Sequence, residues 1–311
     1  MPEIRNITII GAGLMGHGIA QVFAAKGYNV ILVDLNDGLL VQAIKNIRSN
    51  LALMADNDIG AYKDIDPVIS RIRSTTDMSE ATTGAHFVVE AVSENLNLKQ
   101  KVFHELDRLC DREAILATNT SVISITEIAS RAEFRDRIVG THFWNPPYLI
   151  PLVEVVRGED TSNETMDHTF SLLQAVGKHA VRVNRDVPGF VGNRLQHALW
   201  REAISIVENG IADASTVDEC IRFGFGLRLP VLGPIENTDM VGTDLILAIH
   251  EYILKHLESS PEPSPLLKNM VKEGALGFKS GRGFQDWPKE KADKSRKRLQ
   301  EYLLEVMKRG R

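Results

Sequence analysis

Cysteine is nearly absent: 2 of 311 residues, Cys110 and Cys220, far apart in the chain. Such a pair makes neither a disulfide framework nor a metal-ligand spacing, so a disulfide-stapled fold is excluded and no metal is expected. Both read as ordinary buried thiols of a reducing cytoplasm. No apolar run approaches the roughly 20 residues needed to span a bilayer, and the N-terminus enters a strand with no signal-peptide pattern. From those two absences a soluble, cytoplasmic protein is expected. Cations are not in excess either: 36 Lys and Arg face 41 Asp and Glu, a formal net charge of −5, which gives no electrostatic basis for nucleic-acid binding. Hydrophobic content of 43% with 25% charged residues fits a globular protein long enough for two domains.

Glycine, by contrast, is concentrated where it has a use. The β-branched run NITII (6–10) leads into GAGLMG, with Gly11, Gly13 and Gly16, and then into a helical pattern ending at Gly27. In a strand–turn–helix unit the first glycine permits the tight turn, and the second lets backbone approach a pyrophosphate. The third lets helix and strand pack closely. A second strand, NVILVD (29–34), ends in Asp34, eighteen residues after Gly16. A carboxylate there binds the ribose hydroxyls and repels a 2′-phosphate, which favours NAD over NADP.

Residues 38–74 read as helical with one interruption, and its tip carries Asp56, Asp58, Asp64 and Asp66 against Lys63 alone. Strands AHFVVEAV (85–92), AILATNTS (114–121) and RIVGTHF (137–143) follow, separated by helical patterns. Ligands of open parallel sheets lie beyond the carboxyl ends of the strands. Ala91, Glu94, Asn119 and Ser121 are therefore placed to meet the nicotinamide half and the substrate, although each also reads as a cap or turn residue.

The stretch HFWNPPYLIPLVE (142–154) sets one histidine and one glutamate twelve residues apart. Pro146, Pro147 and Pro151 forbid a helix through it, and LVEVV (152–156) alternates as a strand does. A loop carrying His142 that returns as a strand presenting Glu154 can bring imidazole and carboxylate together, the usual apparatus for taking a proton from an alcohol. A loop histidine and a surface-strand glutamate are the alternative on these residues alone.

After residue 185 the strand–helix alternation stops. DVPGFVGNR (186–194) breaks the chain, Asn193 opens a long helix, and the rest is almost wholly helical. The expected architecture is α/β: a Rossmann-type dinucleotide-binding domain over 1–185, followed by an all-helical domain over 186–287 for substrate and dimerisation. A basic helical tail, 288–311, completes the chain. In that tail Leu299, Tyr302, Leu303 and Val306 fall on one helix face, which is expected to pack on the body.

The motifs GAGLMGHGIAQVFA, VVEAVSENLNLK, ATNTS, GTHFWNPP with LVEVVRG, DVPGFVGNR, LGPIENTDMVG and GFKSGRGF resemble those of the L-3-hydroxyacyl-CoA dehydrogenase family, over nearly the whole chain. The resemblance implies a homodimeric oxidoreductase of fatty-acid-type metabolism that uses NAD. It implies His142 as catalytic base, Glu154 as its orienting carboxylate, and Ser121 and Asn193 as the groups that hold the substrate oxygen. Asn145 becomes a further pocket residue. NAD is met by Gly11, Gly13, Leu14, Met15 and Gly16, and by Asp34, Ala91, Glu94, Lys99, Asn119 and Lys279.

Two substrate classes stay open. The acidic tip at 56–66 repels an anionic nucleotide such as CoA, though screening makes a surface effect modest. The stretches NPPYLIPLVEVV, RLQHALWREAISIVENGI and IRFGFGLRLPVLGP resemble the carnitine and L-gulonate 3-dehydrogenases, which act on free 3-hydroxy acids. Arg228 is then a candidate partner for a substrate carboxylate, or a plain helix-turn arginine. SPLLKNMVKEGALGFKSGRGF resembles instead the terminus of 3-hydroxybutyryl-CoA enzymes. The expected activity is oxidation of the 3-hydroxyl of a small free 3-hydroxy carboxylate, with the CoA thioester as alternative. A non-catalytic NAD-binding structural or sensor protein is the remaining class, and the set Ser121, His142, Asn145, Glu154 and Asn193 argues against it.

Overall fold

The structure, a computed structural model, describes residues 4–60 and 64–309. The chain divides into two compact units: the described residues of 1–194 with those of 300–311, and Leu195–Leu299.

In the first unit β1 (Asn6–Ile10), β2 (Asn29–Val33), β3 (Ile72–Thr75), β4 (Phe87–Glu90), β5 (Ile115–Thr118), β6 (Ile138–Phe143), β7 (Leu152–Val156) and β8 (His179–Val183) form one sheet in the order β3-β2-β1-β4-β5-β6-β7-β8. Neighbours run parallel except β6 and β7, which are antiparallel. The chain steps outward from β1 to β3 and then returns to the other side of β1 as β4. This reversal opens a crevice at the carboxyl ends of β1 and β4, where doubly wound sheets bind their ligands.

The strands are almost continuous apolar runs because both faces are covered. Period two sorts them: Ile7, Ile9, Phe87, Val89, Ile115, Ala117, Val139, Val153 and Val155 enter one core with Ile19 and Phe23. Ile10, Val88, Leu116, Ile138 and Val156 enter the other with Phe103 and Ile128. The glycine turn feeds α1 (Gly16–Ala25), and α2 (Asp37–Asp56) follows β2, capped by Asn36, whose side chain accepts from the Leu39 amide.

Three expectations need correction. The segment 38–74 is not helical to its end: Ile72–Thr75 is strand β3, paired in parallel with β2. Its Ile-Arg-Ser-Thr sequence buries Ile72 and exposes Arg73 and Ser74, as an edge strand does. In the acidic tip Asp66 pairs with Arg48 at 2.7 Å, while Lys63 lies outside the described residues. The tail helix, Lys289–Arg309, also packs a different face from the one expected. Leu304 is buried, with Leu303 and Met307 beside it, against Met54, Ile59 and Leu149. Leu299, Tyr302 and Val306 stay exposed. The groove at the end of α2 takes a row one residue further round the helix, and sequence periodicity cannot tell adjacent apolar rows apart. Finally, Cys110 is buried, but Cys220 is exposed.

The second unit is built from helices, among them Ala214–Phe223, Pro234–Val241, Thr243–Ile253 and Pro265–Lys272. Within Leu195–Leu299 only Ala275 and Ala292 are buried. Its large apolar side chains, including Phe223, Val231, Ile235 and Tyr252, face outward. A helical unit whose amphipathic faces are not covered lacks a core of its own.

Candidate active site

The antiparallel turn between β6 and β7 sets His142 directly opposite Glu154 in the ladder. Opposed residues of such a pair point to the same face, so two side chains twelve residues apart converge. His142 Nδ1 lies 2.8 Å from Glu154 Oε2, and both side chains are buried. The other carboxylate oxygen, Oε1, accepts from the amides of Val191 and Gly192, each at 3.0 Å, where the helix Gly192–Glu208 begins. Burial pushes the Glu154 carboxyl up. The hydrogen bond from His142 and those from Gly192 and Val191 outweigh burial, and the pKa is held below its ordinary value. An ionised Glu154 accepting at Nδ1 fixes the proton of neutral His142 there and leaves Nε2 as the basic nitrogen. The imidazole lies against the rings of Trp144 and Phe190, at centroid distances of 5.2 and 5.7 Å.

The turn that delivers those two amides runs through Gly189 (φ 79°) and Phe190 (φ 50°). A left-handed phenylalanine is uncommon, and here it is buried in the core beside the dyad. Asn193, one residue beyond Gly192, donates from Nδ2 to the Ser121 carbonyl at 2.8 Å. One amide hydrogen of Asn193 is thereby used in joining it to the β5 loop, and the second remains for a ligand. Ser121, His142, Glu154 and Asn193 are thus linked around one end of the sheet. Asn145 is exposed on the loop that follows β6.

A second carboxylate organises the loop after β5. Glu94 Oε1 accepts from Thr120 Oγ1 at 2.6 Å, from the Ser121 amide at 2.9 Å and from the Val122 amide at 3.2 Å. Partial burial raises its pKa, but the Thr120 hydroxyl, the Lys99 ammonium and the two amides prevail and lower it. Lys99, expected from the resemblance to meet NAD, is itself fully buried. Its Nζ lies 2.8 Å from Glu90 and 3.3 Å from Glu94. An ammonium engaged in this way braces Glu94 from behind and presents no free donor to solvent in this conformation. Asn119 is likewise buried, its Oδ1 accepting the Phe143 amide at 2.9 Å, which ties β5 to β6 beside His142.

Sequence reasoning overlooked Glu90, which accepts from the Val92 amide, Lys99 and Thr118 Oγ1 and is completely buried. The available signal was a carboxylate ending an otherwise apolar strand. It also overlooked the Val191 and Gly192 amides, because backbone donors carry no sequence signature.

The glycine turn meets the requirements of a dinucleotide. A Cβ on Gly11 would lie 2.7 Å from the Ala91 carbonyl, and one on Gly16 would collide with the Gly11 carbonyl, whereas one on Gly13 would meet nothing within 4 Å. Backbone is therefore bare at Gly13, in front of the N-terminus of α1. Met15, the cap of that helix, makes no side-chain cap bond, and Leu14 is exposed. Uncapped amides and helix dipole together suit a pyrophosphate. Asp34 accepts from the Ala12 amide through Oδ2 and from its neighbour Leu35 through Oδ1, both at 2.7 Å. Its carboxylate is thereby fixed beside the turn. Arg228 and Lys279 belong to the helical unit and are exposed there.

Residues 6–187 match the 3-hydroxyacyl-CoA dehydrogenase NAD-binding domain and residues 189–287 its C-terminal domain. A probable 3-hydroxybutyryl-CoA dehydrogenase of Bacillus subtilis (strain 168) is 40% identical over 92% of this chain and 98% of its own. The 5-formyl-3-hydroxy-2-methylpyridine 4-carboxylate 5-dehydrogenase of Mesorhizobium japonicum is 36% identical over 90% of each chain. A crystal structure of an enzyme of the latter name, described as an NAD+-dependent dismutase, superposes with a TM-score of 0.90 at 31% identity. It covers 98% of this chain and 97% of that one.

Proposed function

Since the chain belongs to the 3-hydroxyacyl-CoA dehydrogenase family and is an NAD-dependent oxidoreductase, we propose that it oxidises the 3-hydroxyl of a small free 3-hydroxy carboxylate to the 3-oxo product. The observation that carries the chemistry is the buried 2.8 Å contact between His142 Nδ1 and Glu154. NAD, held by Gly11, Gly13, Leu14, Met15, Gly16, Asp34 and Ala91, supplies the hydride acceptor when bound. His142 Nε2 takes the hydroxyl proton, and Glu154 stabilises the imidazolium that forms. Ser121 and the remaining amide hydrogen of Asn193 donate to the substrate oxygen as it becomes a carbonyl. Glu94, backed by Lys99, holds Ser121 in place.

Preference for a free acid is supported by the acidic residues near the end of α2 and by the likeness to the pyridine carboxylate dehydrogenase. Arg228 is the proposed carboxylate partner and Asn145 a pocket residue. Lys279 is a proposed further contact to the cofactor. The likeness to the Bacillus subtilis protein favours the CoA thioester as a second reading. NADH formation, measured with 3-hydroxyacyl-CoA thioesters and with free 3-hydroxy acids side by side, separates the two. Turnover of thioesters alone overturns the free-acid reading.

The outward-facing apolar residues of the helical unit support a homodimer formed through residues 186–287. A solution mass near twice the 34.6 kDa of one chain is the expected result of light scattering. The unpaired Cys110 and Cys220 suit a reducing, cytoplasmic compartment.

A further inference from the structure

The loop between the two catalytic strands is fastened at a point remote from the dyad. Lys178, just before β8, donates from Nζ to the carbonyl oxygen of Pro147 and to that of Ile150, the latter at 2.9 Å. Both acceptors belong to the short segment joining the strand of His142 to the strand of Glu154. Burial pushes the ammonium down to about 8. The poorly hydrated cation is thus held by loop carbonyls.

The rest of the segment is fixed from other sides. The amides of Leu149 and Ile150 both donate to the Pro146 carbonyl, at 3.0 and 2.9 Å. The Pro147 ring lies against Gly18 of α1, close enough that a Cβ there would be 3.0 Å from Pro147 Cδ. Leu149 is buried with Met54, Ile59 and Leu304. Asn145 is the exposed residue just before this anchored turn.

We propose that Lys178 is a positioning residue for substrate: by gripping the Pro147 and Ile150 carbonyls it sets the loop that presents Asn145 beside the His142–Glu154 dyad. The inference rests on the dehydrogenase reading above for what the loop presents, but the grip itself is independent of turnover. A charged donor to a carbonyl is among the stronger protein hydrogen bonds, and two of them converge on four residues. Loss of the donor removes both of those bonds and frees the turn, whereas the dyad keeps its own bonds to Val191 and Gly192.

The test compares wild type, Lys178→Met and Lys178→Arg in the full chain. Hydrogen exchange is followed at the Leu149 and Ile150 amides. NAD affinity is read by tryptophan fluorescence, and steady-state kinetics use whichever hydroxy substrate the wild type turns over. In Lys178→Met those amides are expected to exchange at least about tenfold faster, and KM for the hydroxy substrate to rise about tenfold, as loss of a charged hydrogen bond implies. NAD affinity and kcat are expected to stay within about threefold, since their contacts are untouched. Arginine restores part of both effects. Unchanged exchange at 149–150, or a KM that stays put while exchange quickens, overturns the proposal. Lys178→Gln, which keeps a neutral donor, substitutes for the methionine variant if that one fails to fold, with the same criteria at reduced size. A wild type that binds NAD yet oxidises neither substrate class defeats the dehydrogenase reading. The exchange measurement still decides whether Lys178 grips the loop.

Discussion

Gly192 packs against Trp144 so closely that a Cβ on the glycine would sit 2.5 Å from Cζ2 of the indole and 3.3 Å from Glu154 Oε2. The glycine is therefore required by the packing of the dyad, as well as by the turn that donates its amide. Gly192→Ala forces the indole aside, and the indole lies against His142. Such overpacking is expected to cost about 1–3 kcal/mol in urea unfolding and to lower kcat/KM about 100-fold through misplaced reacting groups. Activity equal to wild type would show that Trp144 moves without consequence for the base.

Glu154→Gln keeps the shape of the side chain but removes the charge that stabilises an imidazolium. The expected fall in kcat is about 10²–10⁴-fold, the range of a general-base contribution, with NAD affinity unchanged. His142→Ala is expected to match it, and the double variant to add little, because the two residues act as a unit. Independent, multiplicative losses would contradict the pairing.

The Glu154 carboxyl has its pKa below the ordinary 4.5 in the folded protein. A depressed carboxylate contributes stability that is fully present above the unfolded value and is lost as pH falls through the folded one. The stability advantage of wild type over Glu154→Gln is therefore expected to hold at neutral pH and to shrink below about pH 4.5. Paired urea titrations at pH 7, 5 and 4 on the two proteins, about three points each, check the sign. An advantage that grows on acidification contradicts it.

Asp34 spends both oxygens on the amides of Ala12 and Leu35. Asp34→Ser is expected to loosen the glycine turn and weaken NAD binding by about tenfold, the scale of a charge-assisted hydrogen bond. Discrimination against NADP should narrow, since the carboxylate no longer repels the 2′-phosphate. Cofactor titration with NADH and NADPH separates the two effects.

Leu304 is the tail residue buried against Met54, Ile59 and Leu149. Leu304→Ala is expected to cost about 2–4 kcal/mol, as for other buried leucines, whereas Tyr302→Ala, at an exposed position, should cost less in a monomeric reference. The reverse order would restore the helix face read from periodicity alone.

Much of this architecture is determined by local sequence. The Gly11, Gly13 and Gly16 spacing and the apolar strand runs declare a dinucleotide-binding sheet, since backbone freedom and period-two burial are local properties. The loss of alternation after residue 185 announces the helical part in the same way. Three prolines between His142 and Glu154 force a loop, and LVEVV makes the return a strand. What no local pattern contains is register. Only the antiparallel ladder decides that His142 faces Glu154, and only tertiary packing brings the Val191 and Gly192 amides to its second oxygen. Lys99 read as a cofactor contact but is buried behind Glu94, because whether a charge reaches solvent depends on what lies above it. The tail shows the same limit: Leu303, Leu304 and Met307 pack where Leu299, Tyr302 and Val306 looked equally suited. Apolar residues in sequence specify that a face will be buried; the shape of the groove between α2 and the Leu149 loop decides which one.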